Sequence, residues 1–354
     1  MKLFISKLHY KEKLNIHERL VKSVLAFLTI FYSVVVALRN YLYDKNIIRS
    51  YKAEAYTVSI GNITTGGVGK TPVTAAVANF YRSKGKKVAI LSRGYGATIN
   101  NKQPNIISNG NEVFFDSDQA GDEPIWLANN CVNTPVITCH SRVKAAQLAV
   151  DKFSADVLIM DDGFQHRKMY RDLNLLLVDN KNRFGNEMLL PAGPLREPIK
   201  NIYRADKILL VNKSYDDESA IEYCRELELN FKKKVHLCKM VPDNIYNIVT
   251  NDRLASDSEI LAFCAIGQPQ EFYDFLKKDY RLLVTVDFED HHLYDETNLI
   301  DLMNIANKEG VKKFVTTEKD AEKIKNILIR LKPNIDIYAL KLKPYLDIED
   351  ICSV

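Results

Sequence analysis

A glycine-rich segment, TTGGVGKT at residues 64–71, has the composition of a loop that binds the phosphates of a nucleotide. Its glycines allow backbone N–H groups to turn towards phosphate oxygens, Lys70 adds a positive charge, and the Thr71 hydroxyl can ligate Mg²⁺. A β-rich stretch precedes the loop and a helical pattern follows it, so the start of a helix adds a partial positive charge. We therefore predict nucleotide contacts from the whole segment: Thr64, Thr65, Gly66, Gly67, Val68, Gly69, Lys70 and Thr71.

This segment departs from the usual P-loop pattern at one position, because Thr64 stands six residues before Lys70, where glycine is expected. Gly61 and the Gly66-Gly67 pair supply glycine nearby instead. A glycine-rich turn that binds no nucleotide is the alternative. A Gly-Lys-Thr sequence at a strand-to-helix junction favours phosphate binding over that alternative.

Two adjacent acids, Asp161 and Asp162, follow the short apolar run VLIM at residues 157–160. Such a run predicts a buried strand, and α/β sheets bind ligands at the carboxyl ends of their strands. An acid at this position completes a Mg²⁺ site opposite Thr71. A helix cap or a turn would explain one acid but not both, so we predict that at least one of them ligates the metal.

Strand-like segments alternate with helical segments over the first two thirds of the chain. They lie at residues 56–60, 86–96, 134–138, 157–160, 173–179 and 207–213. This alternation predicts an α/β protein with a doubly wound parallel sheet of the P-loop NTPase type. Further strand patterns occur near residues 235–240, 260–266, 282–286 and 313–316. We therefore predict a leader helix at 1–50, a P-loop domain at 51–233 and a smaller α/β domain at 234–354.

Guanine is disfavoured as the base of the nucleotide. The Asn-Lys-x-Asp sequence that reads guanine in GTPases is replaced here by Asn212-Lys213-Ser214-Tyr215, and Asp216 comes one residue late.

The leader carries most of the positive charge. Residues 1–52 hold ten Lys or Arg and three acids, a local charge of +7, whereas the whole chain is +4 and the remainder is therefore −3. A nucleic-acid-binding protein usually carries such an excess on its folded domain, so a nucleic-acid partner is disfavoured. The six cysteines are scattered without the spacing of a zinc site, as expected for reduced thiols in the cytosol.

An uncharged run of sixteen residues, 23–38, predicts a membrane-associated helix. It is shorter than the roughly 20 residues of a typical transmembrane helix. On a helical projection the residues of one narrow stripe are small or polar, and the residues on the other faces are apolar. The stripe contains Arg19, Lys22, Ser23, Ala26, Thr29, Ser33, Ala37 and Asn40.

This pattern favours a helix that lies flat on an anionic membrane surface, with the basic flanks near the lipid headgroups. A spanning helix would place six N-terminal basic residues outside, against the positive-inside tendency. An ordinary buried helix is the third alternative. A cleaved signal peptide is disfavoured, since the region before the apolar run is too long and no Ala-x-Ala site follows.

Seven motifs occur in one order along the chain: GNITTGGVGKTP, LSRGYG, GDEP, DDGFQH, LPAGPLREP, FEDHH and FVTTEKDAEKI. With this ordered set the chain resembles the tetraacyldisaccharide 4'-kinase family of lipid A biosynthesis. The resemblance spans nearly the whole chain, including the basic leader. It implies transfer of the γ-phosphoryl of ATP, with Mg²⁺, to the 4'-hydroxyl of a tetraacyl glucosamine disaccharide 1-phosphate at the cytoplasmic face of the inner membrane. It implies peripheral or monotopic attachment through the leader, and no obligate protein partner is evident.

The resemblance also assigns candidate roles to individual residues. Asp122 matches the family's candidate base, and His291 matches the histidine that supports it. The alternative for Asp122 is structural, because Asp-Glu-Pro is a common start of a helix. Pairing of Asp122 with His291 requires the C-terminal part of the chain to fold back over the P-loop domain.

Further candidates come from the same resemblance. Arg196 and Glu197 look like contributors to phosphate and magnesium binding, and a salt bridge within the loop is the alternative. Gln165 could complete the magnesium shell directly or through water. Arg93 and Tyr95 match the region of the acceptor's headgroup, although Ala97 stands where the family often has a basic residue. Lys319 and Asp320 belong to the resemblance without an assigned role.

Two other functions are compatible with part of the sequence. A membrane-bound ATPase switch would share the phosphate loop but would not require Asp122 and His291. A nucleic-acid-binding module is the alternative that is not an enzyme, and the −3 charge of residues 53–354 disfavours it.

Overall fold

One continuous mixed β-sheet runs through the protein. The structure is a computed structural model that describes residues 5, 8–11, 15–267, 269–289, 292–331 and 335–353, apart from the side chain of Asn326. Within these residues the sheet has twelve strands in the order β10-β9-β11-β12-β8-β7-β6-β1-β5-β2-β4-β3. All neighbouring strands are parallel except the pairs β3–β4 and β8–β12. The strands are β1 Tyr56–Gly61, β2 Val88–Ser92, β3 Asn105–Ser108, β4 Val136–Thr138, β5 Val157–Asp161, β6 Leu173–Asp179, β7 Lys207–Asn212, β8 Val235–Asn247, β9 Glu259–Cys264, β10 Arg281–Asp287, β11 Lys313–Thr317 and β12 Asp336–Tyr345.

Helices cover the sheet on both faces. They are α1 Ile16–Asp44, α2 Lys70–Ser83, α3 Ser117–Ala120, α4 Asp122–Asn130, α5 Arg142–Phe153, α6 Asp217–Phe231, α7 Pro269–Leu276, α8 Glu296–Glu309, α9 Glu318–Leu331 and α10 Ile348–Cys352, with a 3₁₀ turn at Ile199–Arg204. Every residue of β2, β5 and β6 is buried. Parallel strands that are covered on both faces have such continuous apolar sequences, and the predicted α/β class is confirmed.

The predicted boundary at residues 233 and 234 falls between α6 and β8, within the continuous sheet. There β8 pairs in parallel with β7 on one side and antiparallel with β12 on the other. Two hydrophobic clusters lie wholly within residues 245–340, as expected for a second core. The division into two domains remains a prediction, because the sheet itself is not interrupted.

The C-terminal helix α10 returns to the first half of the chain. Ile351 and Cys352 join the same hydrophobic cluster as β1 and α2. The Tyr81 hydroxyl donates to the Cys352 carbonyl at 3.3 Å, and Lys207 donates to the carbonyls of Asp350 and Ser353. The core at the end of α2 and the start of β7 is therefore completed by residues 348–353.

The leader forms the 29-residue helix α1. Among the described residues it is the one helix long and apolar enough to cross a membrane. Part of its small and polar stripe faces the protein, including Thr29 and the buried Asn40. The opposite face leaves large apolar side chains exposed: Leu20, Val24, Phe27, Leu28, Ile30, Phe31, Val34, Val35 and Leu38.

Candidate active site

The phosphate loop lies between the end of β1 and the start of α2. Gly66 and Gly69 have φ angles of 107° and 97°, which lie in the region that disfavours residues with a side chain. Within the described part of the chain, the amides of Gly66, Gly67 and Gly69 make no hydrogen bonds. Their N–H groups are therefore available to an anion at the start of α2.

Thr64 and Thr65 are held by a neighbouring loop, residues 189–198, which we call the 189–198 segment. Thr64 forms an isolated β-bridge with Leu195, and its hydroxyl accepts a hydrogen bond from the Asn62 amide at 3.1 Å. The Thr65 N–H donates to the Pro194 carbonyl at 2.8 Å. The Thr65 amide is therefore used within the protein, and the loop is supported here by pairing rather than by the glycine that the usual motif has.

Asp161 and Asp162 lie at the end of β5, beside β1, but their surroundings differ. Asp161 is 1% exposed and accepts a hydrogen bond from the Thr74 hydroxyl at 3.0 Å. Burial raises the pKa of Asp161 to about 7, and the nearby charges of Glu123 and Asp162 add to this effect.

Two cations converge on Asp162. The Arg196 guanidinium donates to both carboxylate oxygens at 2.9 and 2.8 Å, and the Lys70 ammonium lies 3.4 Å from one of them. Burial alone would raise the pKa of Asp162, but the charges of Lys70 and Arg196 hold this pKa well below its usual range. Asp162 is therefore ionised, and it brings Arg196 close to Lys70 of the phosphate loop. The phosphate contact of Arg196 stays a prediction.

The predicted magnesium ligands include Thr71, Asp161, Asp162 and Gln165, whose side-chain oxygens suit a hard cation. Thr71 is buried in the first turn of α2. Gln165 donates to the Asn62 carbonyl at 2.9 Å and lies 3.4 Å from Arg196. No group of three His, Cys, Asp or Glu side chains capable of holding a metal occurs among the described residues. The hydroxyl, carboxylate and amide oxygens of the four residues fit the donor chemistry of Mg²⁺, which P-loop proteins also bind through nucleotide oxygens and water.

Glu197 does not join these residues. Its carboxylate is fully buried and accepts hydrogen bonds from Arg39, Asn40, Asn201 and Arg204 at 2.6 to 3.1 Å. A carboxylate with four protein donors and no exposed surface has little capacity left for a metal ion. The predicted metal role of Glu197 is therefore not supported, and the structure gives it a role in holding α1.

Asp122 is the first residue of α4, after Gly121. A side chain at Gly121 would lie 2.5 Å from the Tyr95 carbonyl oxygen, so only glycine lets the loop that carries Arg93 and Tyr95 approach this closely. Arg93 and Tyr95 are both exposed. The predicted acceptor-binding residues therefore lie on a loop that packs against the start of the helix carrying the predicted base.

Cations from α9 flank Asp122. The Lys323 ammonium lies 3.8 Å from one Asp122 oxygen and 3.2 Å from Asp320. Lys319 forms an ion pair with Glu123 at 2.6 Å. Lys319 lowers the pKa of Glu123, although burial opposes this effect. Asp320 in turn accepts hydrogen bonds from the Ala265 amide and the Thr317 hydroxyl, at 2.9 and 2.8 Å.

Sequence reasoning missed this contribution of Lys319 and Lys323, since the contacts join residues about two hundred positions apart. Their occurrence in one motif, TTEKDAEK, was the available signal. The predicted partner of Asp122, His291, lies outside the described residues, and its role stays a prediction.

A cavity of about 410 Å³ lies beside the phosphate loop. Lys213 lines it, donates to the Gly67 carbonyl and forms an ion pair with Asp179 at 3.0 Å. The aromatic rings of Tyr215 and Phe275 also line the cavity. Sequence reasoning used Asn212-Lys213 only to disfavour guanine, and it missed the contact between Lys213 and the loop.

Comparisons with known proteins relate the chain to one family. A sequence model of the family described as tetraacyldisaccharide-1-P 4'-kinase (LpxK) matches residues 21–351. A tetraacyldisaccharide 4'-kinase from Geobacter metallireducens is 36% identical over 319 residues, which cover 89% of this chain and 92% of that protein. One from Halothermothrix orenii is 29% identical over 347 residues, covering 93% and 90%. The crystal structure of LpxK from Aquifex aeolicus in complex with ATP is similar with a TM-score of 0.74 and 31% identity, covering 93% of this chain and 96% of that one.

Proposed function

Because the chain belongs to the tetraacyldisaccharide-1-P 4'-kinase family, we propose that the site at the ends of β1 and β5 carries out that family's phosphoryl transfer. The chain is an ATP-dependent kinase that phosphorylates the 4'-hydroxyl of a tetraacyl glucosamine disaccharide 1-phosphate in lipid A biosynthesis. The observation that carries the assignment to this site is the convergence of Lys70 and Arg196 on Asp162, directly beside the phosphate loop.

In this proposal the phosphate loop binds the triphosphate of ATP. The free amides of Gly66, Gly67 and Gly69 donate to phosphate oxygens. The dipole of α2 places a partial positive charge at its first turn, which also favours the phosphates. Lys70 and Arg196 neutralise charge that develops on the transferred phosphoryl group, because both cations are already gathered at the loop. Thr64, Thr65 and Val68 shape the loop around these donors.

Thr71, Asp161, Asp162 and Gln165 would hold Mg²⁺. When bound, the ion would neutralise negative charge on the phosphates of ATP. Asp162 supports this role because its side chain is 33% exposed beside Lys70, whereas Asp161 is 1% exposed and bonded to Thr74. We therefore propose that Asp162 would ligate the metal directly and that the more deeply buried Asp161 would support the site.

Asp122 is the proposed general base. Its carboxylate takes the proton of the acceptor's 4'-hydroxyl, the resulting oxygen forms a bond to the γ-phosphorus, and the bond from that phosphorus to the β-γ bridging oxygen breaks to release ADP. Lys323 keeps positive charge within 3.8 Å of the carboxylate. His291 is the proposed partner of Asp122, and Arg93 and Tyr95 are the proposed contacts to the disaccharide headgroup.

The cavity beside Lys213 is the proposed site of the adenosine part of ATP. Its volume of about 410 Å³ falls within the range of small-molecule sites. It adjoins the phosphate loop through the bond from Lys213 to Gly67. Tyr215 and Phe275 supply apolar surface for a purine ring.

We further propose that α1 attaches the enzyme to the anionic, cytoplasmic face of the inner membrane. The exposed apolar face and the basic flanks of α1 support this attachment. Placing the site at the membrane would give it access to an acceptor whose four acyl chains remain in the bilayer.

The test is direct transfer of label to lipid. Purified full-length protein is mixed with γ-labelled ATP, Mg²⁺ and a tetraacyl disaccharide 1-phosphate in mixed micelles. We expect label on the lipid, and a loss of at least about 1,000-fold for Lys70→Met because the transition state loses a positioned cation. Lys84→Met, a change of an exposed lysine just after the same helix, is the matched control. Release of labelled phosphate at the same rate with and without the lipid would instead indicate an ATPase and overturn the proposal.

A further inference from the structure

The leader helix makes direct hydrogen bonds to the loop that carries Arg196. The Tyr32 hydroxyl donates to the Arg196 carbonyl at 2.8 Å. One turn earlier, the Thr29 hydroxyl accepts a hydrogen bond from the Ala192 amide at 3.1 Å. These bonds join the membrane-associated helix to the 189–198 segment over more than 150 positions of sequence.

The next turns of α1 hold the same segment through a buried ionic cluster. Arg39 and Asn40 donate to the two oxygens of Glu197 at 3.1 and 3.0 Å, and Arg204 pairs with it at 2.6 Å. Removing one partner from such a buried cluster leaves a buried charge without compensation, which strongly destabilises the folded state. The helix therefore fixes the backbone at Glu197, immediately after Arg196.

The opposite side of the segment meets the phosphate loop. The Arg196 amide donates to the Ile63 carbonyl at 2.7 Å, and the Pro194 carbonyl accepts from Thr65. From the same residue the guanidinium reaches Asp162. The segment is thus held between α1 on one side and the phosphate loop on the other.

We propose that Tyr32 of the leader helix is a positioning residue for Arg196, so that the membrane helix forms part of the support of the active site. This inference rests on the proposed role of Arg196 in phosphoryl transfer. Tyr32 does not touch the reacting atoms. It acts by holding the backbone of Arg196 in place at its carbonyl. This backbone position directs the guanidinium towards Asp162.

A double-mutant cycle tests this coupling. Tyr32→Phe removes one hydroxyl, Arg196→Met removes the guanidinium, and the third variant carries both changes. Tyr41→Phe is the matched control in the same helix, because Tyr41 is 54% exposed. The rate of label transfer to lipid and the KM for ATP are measured, together with binding to vesicles of anionic lipid.

We expect Tyr32→Phe to lower kcat by about 2- to 10-fold, the value of one net hydrogen bond, with KM for ATP and vesicle binding unchanged. In the Arg196→Met background the same change should cause no further loss, since a residue that acts through another has no effect once that residue is absent. Tyr41→Phe should leave kcat unchanged.

An unchanged kcat for Tyr32→Phe would overturn the inference. So would an equal loss in the Arg196→Met background, which would show that Tyr32 acts by another route. Wild-type activity of Arg196→Met alone would instead refute the proposed role of Arg196, and the positioning role of Tyr32 would fall with it. The cycle therefore distinguishes failure of the inference from failure of the proposed function.

Discussion

Replacing Lys319 with methionine should lower both stability and the rate of phosphoryl transfer. The change removes the cation that pairs with Glu123 at 2.6 Å while keeping most of the side chain's apolar length. Glu123 would then be left beside Asp122, and its charge already contributes to the raised pKa of Asp161. The perturbation is therefore an unpaired carboxylate next to the proposed base and the proposed metal site.

The size of the effect follows from the exposure of the pair. The side chains of Lys319 and Glu123 are 31% and 28% exposed, which places the pair between a surface ion pair and a buried one. Surface pairs contribute about 0–1 kcal/mol, whereas breaking a buried pair costs about 3–5 kcal/mol. We expect Lys319→Met to lower the free energy of unfolding by about 1–2 kcal/mol. If the same energy is lost from the catalytically competent arrangement, kcat falls by about 5- to 30-fold.

Two measurements on purified protein check this prediction: denaturant-induced unfolding, and label transfer from ATP to the lipid acceptor. Lys325→Met is the matched control, since Lys325 is exposed on the same helix, α9. The double variant Glu123→Gln with Lys319→Met should recover most of the loss, because it removes the unpaired charge as well as its partner. If the double variant is as impaired as Lys319→Met alone, the electrostatic reasoning is wrong.

Three further predictions concern the base, a buried acid and the leader. Asp122→Asn should reduce kcat by at least about 100-fold with ATP affinity retained, whereas the exposed Asp118→Asn in the preceding helix should not; equal losses in both would contradict a base at Asp122. Burial raises the pKa of Glu318 from 4.5 to about 7, so the folded state binds this proton more tightly, and the associated stability is lost as the pH rises from 4.5 through 7. At pH 8, Glu318→Gln should therefore have a free energy of unfolding roughly 1–3 kcal/mol higher than the wild type and a higher denaturant midpoint, whereas at pH 4.5 the two midpoints should be similar. Equal midpoints at pH 8 would refute this. Phe27→Ser with Phe31→Ser, both about 60% exposed on α1, should weaken binding to anionic vesicles by at least about tenfold in a sedimentation assay, and unchanged binding would show that another surface attaches the protein.

The parts of the site that depend on local sequence could be predicted. The phosphate loop follows the buried strand β1, and Asp161 and Asp162 lie at the end of the buried strand β5. Parallel strands bring their carboxyl ends to one edge of the sheet. The fold class followed from the same alternation of strands and helices. Local sequence carries this information because strand, turn and helix start lie within a few residues of one another.

Contacts between distant residues could not be predicted. Nothing in the sequence near Glu123 indicates that Lys319 pairs with it, because the pairing depends on how α9 packs against α4. Glu197 follows Arg196 directly, and the sequence alone does not show that the two side chains diverge, one towards Asp162 and the other into a buried cluster with α1. The strand β12 was missed because lysines and a proline interrupt its apolar pattern, whereas pairing with β8 and β11 stabilises it.

The return of α10 to the core of the first half has a consequence for biosynthesis. A ribosome releases β1 and α2 long before it releases Ile351 and Cys352, which complete the cluster around these elements. During synthesis the apolar surface at the end of α2 and the start of β1 therefore remains uncovered until residues 351 and 352 have been added. Until α10 has left the ribosome, the nascent protein therefore presents this surface, which chaperones can bind.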